Sequence, residues 1–69
     1  MIKTLGYNLR MLRFKLNLTQ PQVANEVNIN VRALSEFERD IRFPKKDQLE
    51  RLAVFYEASV EDILVGDED

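Results

Sequence analysis

Glu36 and Glu38 are the nearest this sequence comes to a catalytic carboxylate pair, and their spacing argues against that use. Residues two apart on a helix point to different faces, so the two acids cannot converge on one substrate. The chain has neither cysteine nor histidine. Disulfides and thiolate or imidazole metal sites are therefore excluded, and Ser35 and Ser59 have no evident activating base. No glycine-rich phosphate loop is present. The residues point to a non-enzymatic chain, with no cofactor, no metal and no small-molecule ligand expected. What remains is ionic chemistry. Arg39, Arg42, Lys45 and Lys46 gather in the stretch RDIRFPKK, a composition suited to an anionic surface.

The formal net charge of −2 hides an uneven distribution. Residues 1–18 hold Lys3, Arg10, Arg13 and Lys15 and no acid, while from Ser59 onward come Glu61, Asp62, Asp67, Glu68 and Asp69 and no base. Residues 1–58 therefore carry ten cationic against seven acidic side chains, a positive body with an acidic end. With 69 residues the chain is one small domain with a thin core. We read residues 1–66 as the domain and 67–69 as an acidic tail. No apolar run approaches the length of a membrane span and nothing reads as a secretory signal, so a cytoplasmic setting is the expectation.

The elements that must position these charges are helical. Leu5, Leu9, Leu12 and Leu16 recur at helical spacing, predicting a first helix over about residues 3–16 that ends at Asn17, a residue tolerant of the left-handed conformation. Thr19-Gln20-Pro21-Gln22 restarts the chain with a capping box between Thr19 and Gln22, and Pro21 suits the first turn. Leu18 and Val23 can close a hydrophobic staple around that cap. A short second helix over 20–27 turns Val23, Ala24 and Val27 inward. Asn28-Ile29-Asn30 allows only a tight turn, with Asn28 left-handed, Ile29 a buried plug and Asn30 the N-cap of a third helix over 31–39. Its inner residues are Ala33, Leu34 and Phe37; Arg32, Ser35, Glu36 and Arg39 lie outside. A fourth helix follows Pro44 on a stripe of Leu49, Leu52, Ala53 and Tyr56. Ser59 caps a fifth, which turns Val60, Ile63 and Leu64 inward and ends at Gly66. No stretch alternates with period two for long enough to form a strand.

Two short helices joined by a three-residue turn make the helix-turn-helix arrangement. The ordered series Leu18-Thr19-Gln20, Val23-Ala24, Ile29, Phe37-Glu38, Pro44, Leu52-Ala53 and Asp62-Ile63-Leu64 resembles the phage repressor and Cro family of DNA-binding domains over about residues 5–64. The resemblance implies an all-α, five-helix bundle of the lambda-repressor-like type, with the helix-turn-helix formed by helices 2 and 3. Two positions depart from the family: Asn28 and Asp40 stand where it usually has glycine, and both are tolerable substitutes at positive φ.

The resemblance further implies a sequence-specific transcriptional regulator, most simply a repressor, whose third helix enters the major groove of duplex DNA. Val31, Arg32 and Glu36 fall on the base-reading positions. Arg32 is long enough to bond guanine O6 and N7, Val31 could pack on a thymine methyl, and Glu36 can accept from cytosine N4. Gln20 matches the family's phosphate-contacting glutamine, assisted by Thr19 at a helix N-terminus whose free N–H groups suit an anion. Arg42, Lys45 and Lys46 are further phosphate candidates, with Arg10 and Lys15 weaker ones. Arg13 and Glu38 are expected to form a structural ion pair between helices 1 and 3.

One domain of this size makes few DNA contacts, so a homodimer is expected, with Phe55, Tyr56, Val60, Ile63 and Val65 as interface candidates, the plainer reading being that most of these fill the monomer core. The rival reading is a protein-binding adaptor or antitoxin on the same fold, which would bind DNA only weakly and lack its steep salt dependence.

Overall fold

Four of the helices end on one and the same backbone device, which sets the angles of the bundle. The computed structural model describes residues 3–65, and these form α1 (Leu5–Lys15), α2 (Gln20–Val27), α3 (Val31–Glu38), α4 (Lys46–Tyr56) and α5 (Val60–Val65), with no strand among the described residues. Asn17, Asn28, Asp40 and Glu57 have φ of 58°, 55°, 61° and 55°. Each left-handed residue sends its N–H back three residues, and its successor bonds further back still: Leu18 to the Arg13 carbonyl, Ile29 to Ala24, Ile41 to Glu36 and Ala58 to Ala53. This is the Schellman arrangement, which satisfies carbonyls that a helix end would otherwise leave bare. The residue after the left-handed one is apolar in all four cases, and Ile29 is buried by the chain reversal it follows.

The starts are equally local. The Thr19 hydroxyl accepts from the Gln22 N–H at 3.2 Å while Gln22 Oε1 accepts from the Thr19 N–H at 2.8 Å, completing the capping box. Thr4 caps α1 through the Tyr7 N–H, Asn30 caps α3 through the Arg32 N–H, and Ser59 accepts from the Asp62 N–H. Gly66 and the acidic tail lie outside the described residues.

α3 packs on α1 and α2, α4 on α2 and α5, and α5 returns to α1. Leu9, Val23, Leu34, Phe37, Leu52 and Ile63 are sealed at the centre. Leu12, Leu18 and Val60 are only partly buried against this core. Two expectations fail at helix ends. Leu16 is half exposed, because α1 stops at Lys15 and Leu16 is its C-cap, where the helical stripe no longer applies. Leu64 is exposed, leaving Ile63 as the buried residue of α5.

α1 approaches the end of α3 closely at Gly6. A Cβ there would stand 2.5 Å from the Glu38 carbonyl oxygen and 2.6 Å from the Asp40 carboxylate, so only glycine fits without a shift. Asp40 uses that proximity: its carboxylate accepts from the Thr4 hydroxyl at 2.6 Å and the Gly6 N–H at 2.9 Å. Asn8 ties α1 to α5 by donating to the Ile63 carbonyl at 2.7 Å. No helix among the described residues is long and apolar enough to cross a membrane.

Candidate nucleic-acid interface

The inner side of α3 is fixed before its outer side can present anything. Leu34 and Phe37 are sealed in the core, and Glu38, only 1% exposed in its side chain, lies under α1. Arg13 Nε and Nη2 donate to its two carboxylate oxygens at 2.9 and 3.0 Å, a bidentate pair of the kind that makes a buried charge tolerable. The third Arg13 nitrogen donates to the Leu18 carbonyl at 2.9 Å. Arg10 completes the joint by donating to the Glu38 backbone carbonyl and lies over the Tyr7 ring. Its guanidinium is thus turned toward the end of α3, which a sequence reading as a phosphate candidate did not foresee.

Gln20 stands at the junction between this joint and the surface. Its Nε2 donates to Glu38 Oε1 at 3.0 Å, so the amide is oriented by the buried pair. That nitrogen has a second hydrogen, and Gln20 is the first residue of α2. Its own backbone N–H is the one left uncommitted there among the described residues, since Pro21 has none and the Thr19 and Gln22 N–H groups are held in the capping box. Thr19 is already committed to its capping box. Lys15, Lys45 and Lys46 are exposed.

On the outer side of α3, Val31 and Arg32 are exposed, Arg32 with 86% of its side chain in solvent. Glu36 is not fully open. Arg42 donates to its Oε1 at 3.1 Å, Arg32 Nε stands 3.9 Å from its Oε2, and its side chain is 21% exposed. These residues line a shallow depression of about 480 Å³ with Asn30, Ala33 and Gln48. The structure therefore brings Arg32, Glu36 and Arg42 together. The Arg42–Glu36 bond was invisible in the sequence because it joins residues six apart across the left-handed Asp40.

Two interface expectations are corrected. Tyr56 and Ile63 are buried in the core, since α5 folds back on α1 and α4, so neither is available to a second copy. Phe55 and Val60 remain half-buried and Val65 exposed, and Val54, 78% exposed, is an apolar residue the sequence reading passed over. The Tyr56 hydroxyl is enclosed without a hydrogen-bond partner among the described residues. Burial, then the nearby Glu38 charge, push its pKa up to about 12, with Arg13 partly opposing.

A family model described as a helix-turn-helix domain matches residues 4–64. The chain is 38% identical over 65 residues to the HTH-type transcriptional regulator ImmR of Bacillus subtilis, covering 94% of this chain and 51% of that protein. It is 30% identical over 60 residues to the HTH-type transcriptional activator BcrR of Enterococcus faecalis, covering 87% of this chain and 29% of that one. The chain thus spans about half the length of the first relative and under a third of the second. The crystal structure of the P22 c2 repressor protein in complex with a synthetic operator superposes with a TM-score of 0.89 at 28% identity, over 93% of this chain and 97% of that one. With its capped α2, three-residue turn and solvent-facing α3, the chain belongs to the helix-turn-helix domain family, in the five-helix form of the phage repressors.

Proposed function

We propose that this chain binds duplex DNA sequence-specifically and regulates transcription, acting as a repressor and as a homodimer. The observation that carries this reading is the asymmetry of α3: one side is locked by the core and the Arg13–Glu38 pair, and the other offers Val31 and Arg32 to solvent. A rigid helix with a free, charged outer side beside the N-terminus of a second helix is what the major groove accepts. The P22 c2 likeness to an operator-bound protein supports the same docking.

In this reading Arg32 bonds guanine, Val31 contacts a thymine methyl and Glu36 accepts from cytosine. Gln20 donates its second amide hydrogen to a phosphate, Thr19 holds the helix end that presents it, and Lys45 and Lys46 contribute charge. Arg13 and Glu38 hold the two helices in register and touch no DNA. A twofold pair of domains would read half-sites about 34 Å apart, its contact built from Val54, Phe55, Val60 and Val65. The protein would then work in the cytoplasm, where its DNA lies.

Selection of bound sites from random duplex DNA, repeated with Arg32→Ala, tests the assignment. A symmetric motif is expected, with preference lost at one symmetric pair of positions in the variant. Affinity should fall roughly 10³–10⁵-fold between 50 and 200 mM salt if about 6–10 phosphates are neutralised. Binding that ignores salt, or a motif unchanged by Arg32→Ala, would reject it.

A further inference from the structure

Arg42 lies in the basic loop, where a phosphate contact is the obvious assignment, yet its guanidinium is turned back onto α3. The cause is the reversal at Asp40. Asp40 donates to the Phe37 carbonyl at 3.1 Å, and Ile41 and Arg42 donate to the Glu36 carbonyl at 3.0 and 3.4 Å. The Arg42 backbone is thereby held over the last turn of the helix. Its side chain runs along that turn, with the guanidinium 5.9 Å from the centre of the Phe37 ring and Nη1 3.1 Å from Glu36 Oε1.

The two oxygens of Glu36 are left in different states. Oε1 is committed to Arg42. Oε2 faces Arg32 at 3.9 Å, beyond hydrogen-bond reach, and no hydrogen bond reaches it among the described residues. One bound oxygen restrains the carboxylate and leaves a single acceptor with a preferred direction. The adjacent positive charge also offsets the repulsion that a bare carboxylate would meet among phosphates.

An acceptor of this kind discriminates in the major groove. Both cytosine N4 and adenine N6 can donate, but the adenine amino group sits beside the N7 acceptor, which repels a carboxylate. We propose that Arg42 is a positioning residue for base reading: it holds Glu36 so that Oε2 accepts from a cytosine amino group, and it contributes to specificity without itself contacting a base. This rests on the DNA-reading role of α3 proposed above.

The test pairs site selection from random duplex DNA with salt titrations of affinity, for the natural chain, Arg42→Ala, Glu36→Gln and the double variant. Arg42 is half exposed but lies over the core ring of Phe37, so urea unfolding of each variant is run alongside to confirm that the chain tested is folded. The natural chain should enrich cytosine at one symmetric pair of positions. Arg42→Ala should weaken that preference about tenfold, within the range that one base contact supplies. The double variant should be no less selective there than Glu36→Gln alone, since both changes act on one interaction. An unchanged motif in Arg42→Ala, with the salt slope reduced by about one, would make Arg42 an ordinary phosphate ligand and overturn the proposal alone. No enriched sequence for the natural chain would overturn the base-reading role of α3 and this proposal with it.

Discussion

Glu36 and Glu38 stand two residues apart on the same short helix and are put to opposite uses. Glu38 receives three donors at 2.9 to 3.0 Å, from Arg13 and Gln20, with its side chain 1% exposed. Glu36 receives one at 3.1 Å, and a second cation stops at 3.9 Å. Taking a carboxylate out of water costs several kcal/mol, roughly, which only near-complete pairing offsets. The inner residue comes close to that condition, with three of roughly four acceptor sites filled, and its burial closes it to a ligand. The outer one, incompletely bonded and partly wet, retains an acceptor. Burial, more than residue type, separates a charge that holds the fold from one that can meet a partner.

The largest expected effect tests the inner half of the comparison. Glu38→Ala strands the Arg13 guanidinium under α1 and frees the Gln20 amide, and stability should fall by about 3–5 kcal/mol. Urea unfolding measures it, against Glu36→Ala, which should stay within about 0.5 kcal/mol of the natural chain. Similar losses in the two variants would erase the distinction. Gln20 gives a second readout, because loss of its Glu38 tether should also weaken DNA binding in protein that remains folded.

The outer half is tested by Glu36→Gln. Stability should be unchanged, while discrimination at one symmetric pair of base positions should fall by about 1–3 kcal/mol in competition binding against substituted duplexes. A stability loss comparable to that of Glu38→Ala, with base preference intact, would move Glu36 to the structural side.

How far these roles could be read from the sequence depends on how local their causes are. The Thr19–Gln22 box, the left-handed Asn17 and Asn28, and the Ile29 plug are decided within five or six residues, and the sequence already specifies them. Glu36 and Glu38 could be assigned to different sides by helical phase alone. Arg42 could not be placed, because its position depends on the reversal at Asp40, and a loop arginine has no phase. Tyr56 and Ile63 were placed both on inward stripes and among the interface candidates, and only the docking of α5, a long-range event tied to α1 through Asn8, decides for the core. The carboxylate of Asp40 was equally hidden. In the sequence it stands only as a substitute for glycine, and its bonds to Thr4 and Gly6 cross more than thirty residues.

Tyr56 sharpens the inner environment further, since its hydroxyl is enclosed within the field of Glu38. Its pKa, raised from 10.0 to about 12 by burial and then by Glu38, means that the fold favours the protonated phenol. The unfolded chain ionises first. The resulting stability is fully present below pH 10 and is lost as pH rises toward 12. Tyr56→Phe removes a hydroxyl that has no hydrogen-bond partner among the described residues, so it should gain about 1 kcal/mol at neutral pH. That gain should widen between pH 10 and 12 in parallel unfolding curves. A constant gap across that range would mean that the hydroxyl reaches solvent.

The smallest effect separates two acids that share a backbone conformation instead of a helix. Asp40 and Glu57 have φ of 61° and 55°, and each closes a Schellman turn. A non-glycine residue in this region costs about 1–2 kcal/mol, of which glycine would return part, because its unfolded chain is about 0.5–1 kcal/mol more costly to order. Glu57 makes no side-chain hydrogen bond among the described residues, so Glu57→Gly should raise stability by about 0.5 kcal/mol. Asp40→Gly gains the same backbone relief but loses the bonds to the Thr4 hydroxyl and Gly6 N–H. With roughly 1 kcal/mol for each lost bond, the balance should reverse to a loss of about 1.5 kcal/mol. Thermal unfolding of the two variants side by side measures the difference. If both glycines stabilise the chain alike, the Asp40 carboxylate contributes nothing to joining α1 and α3.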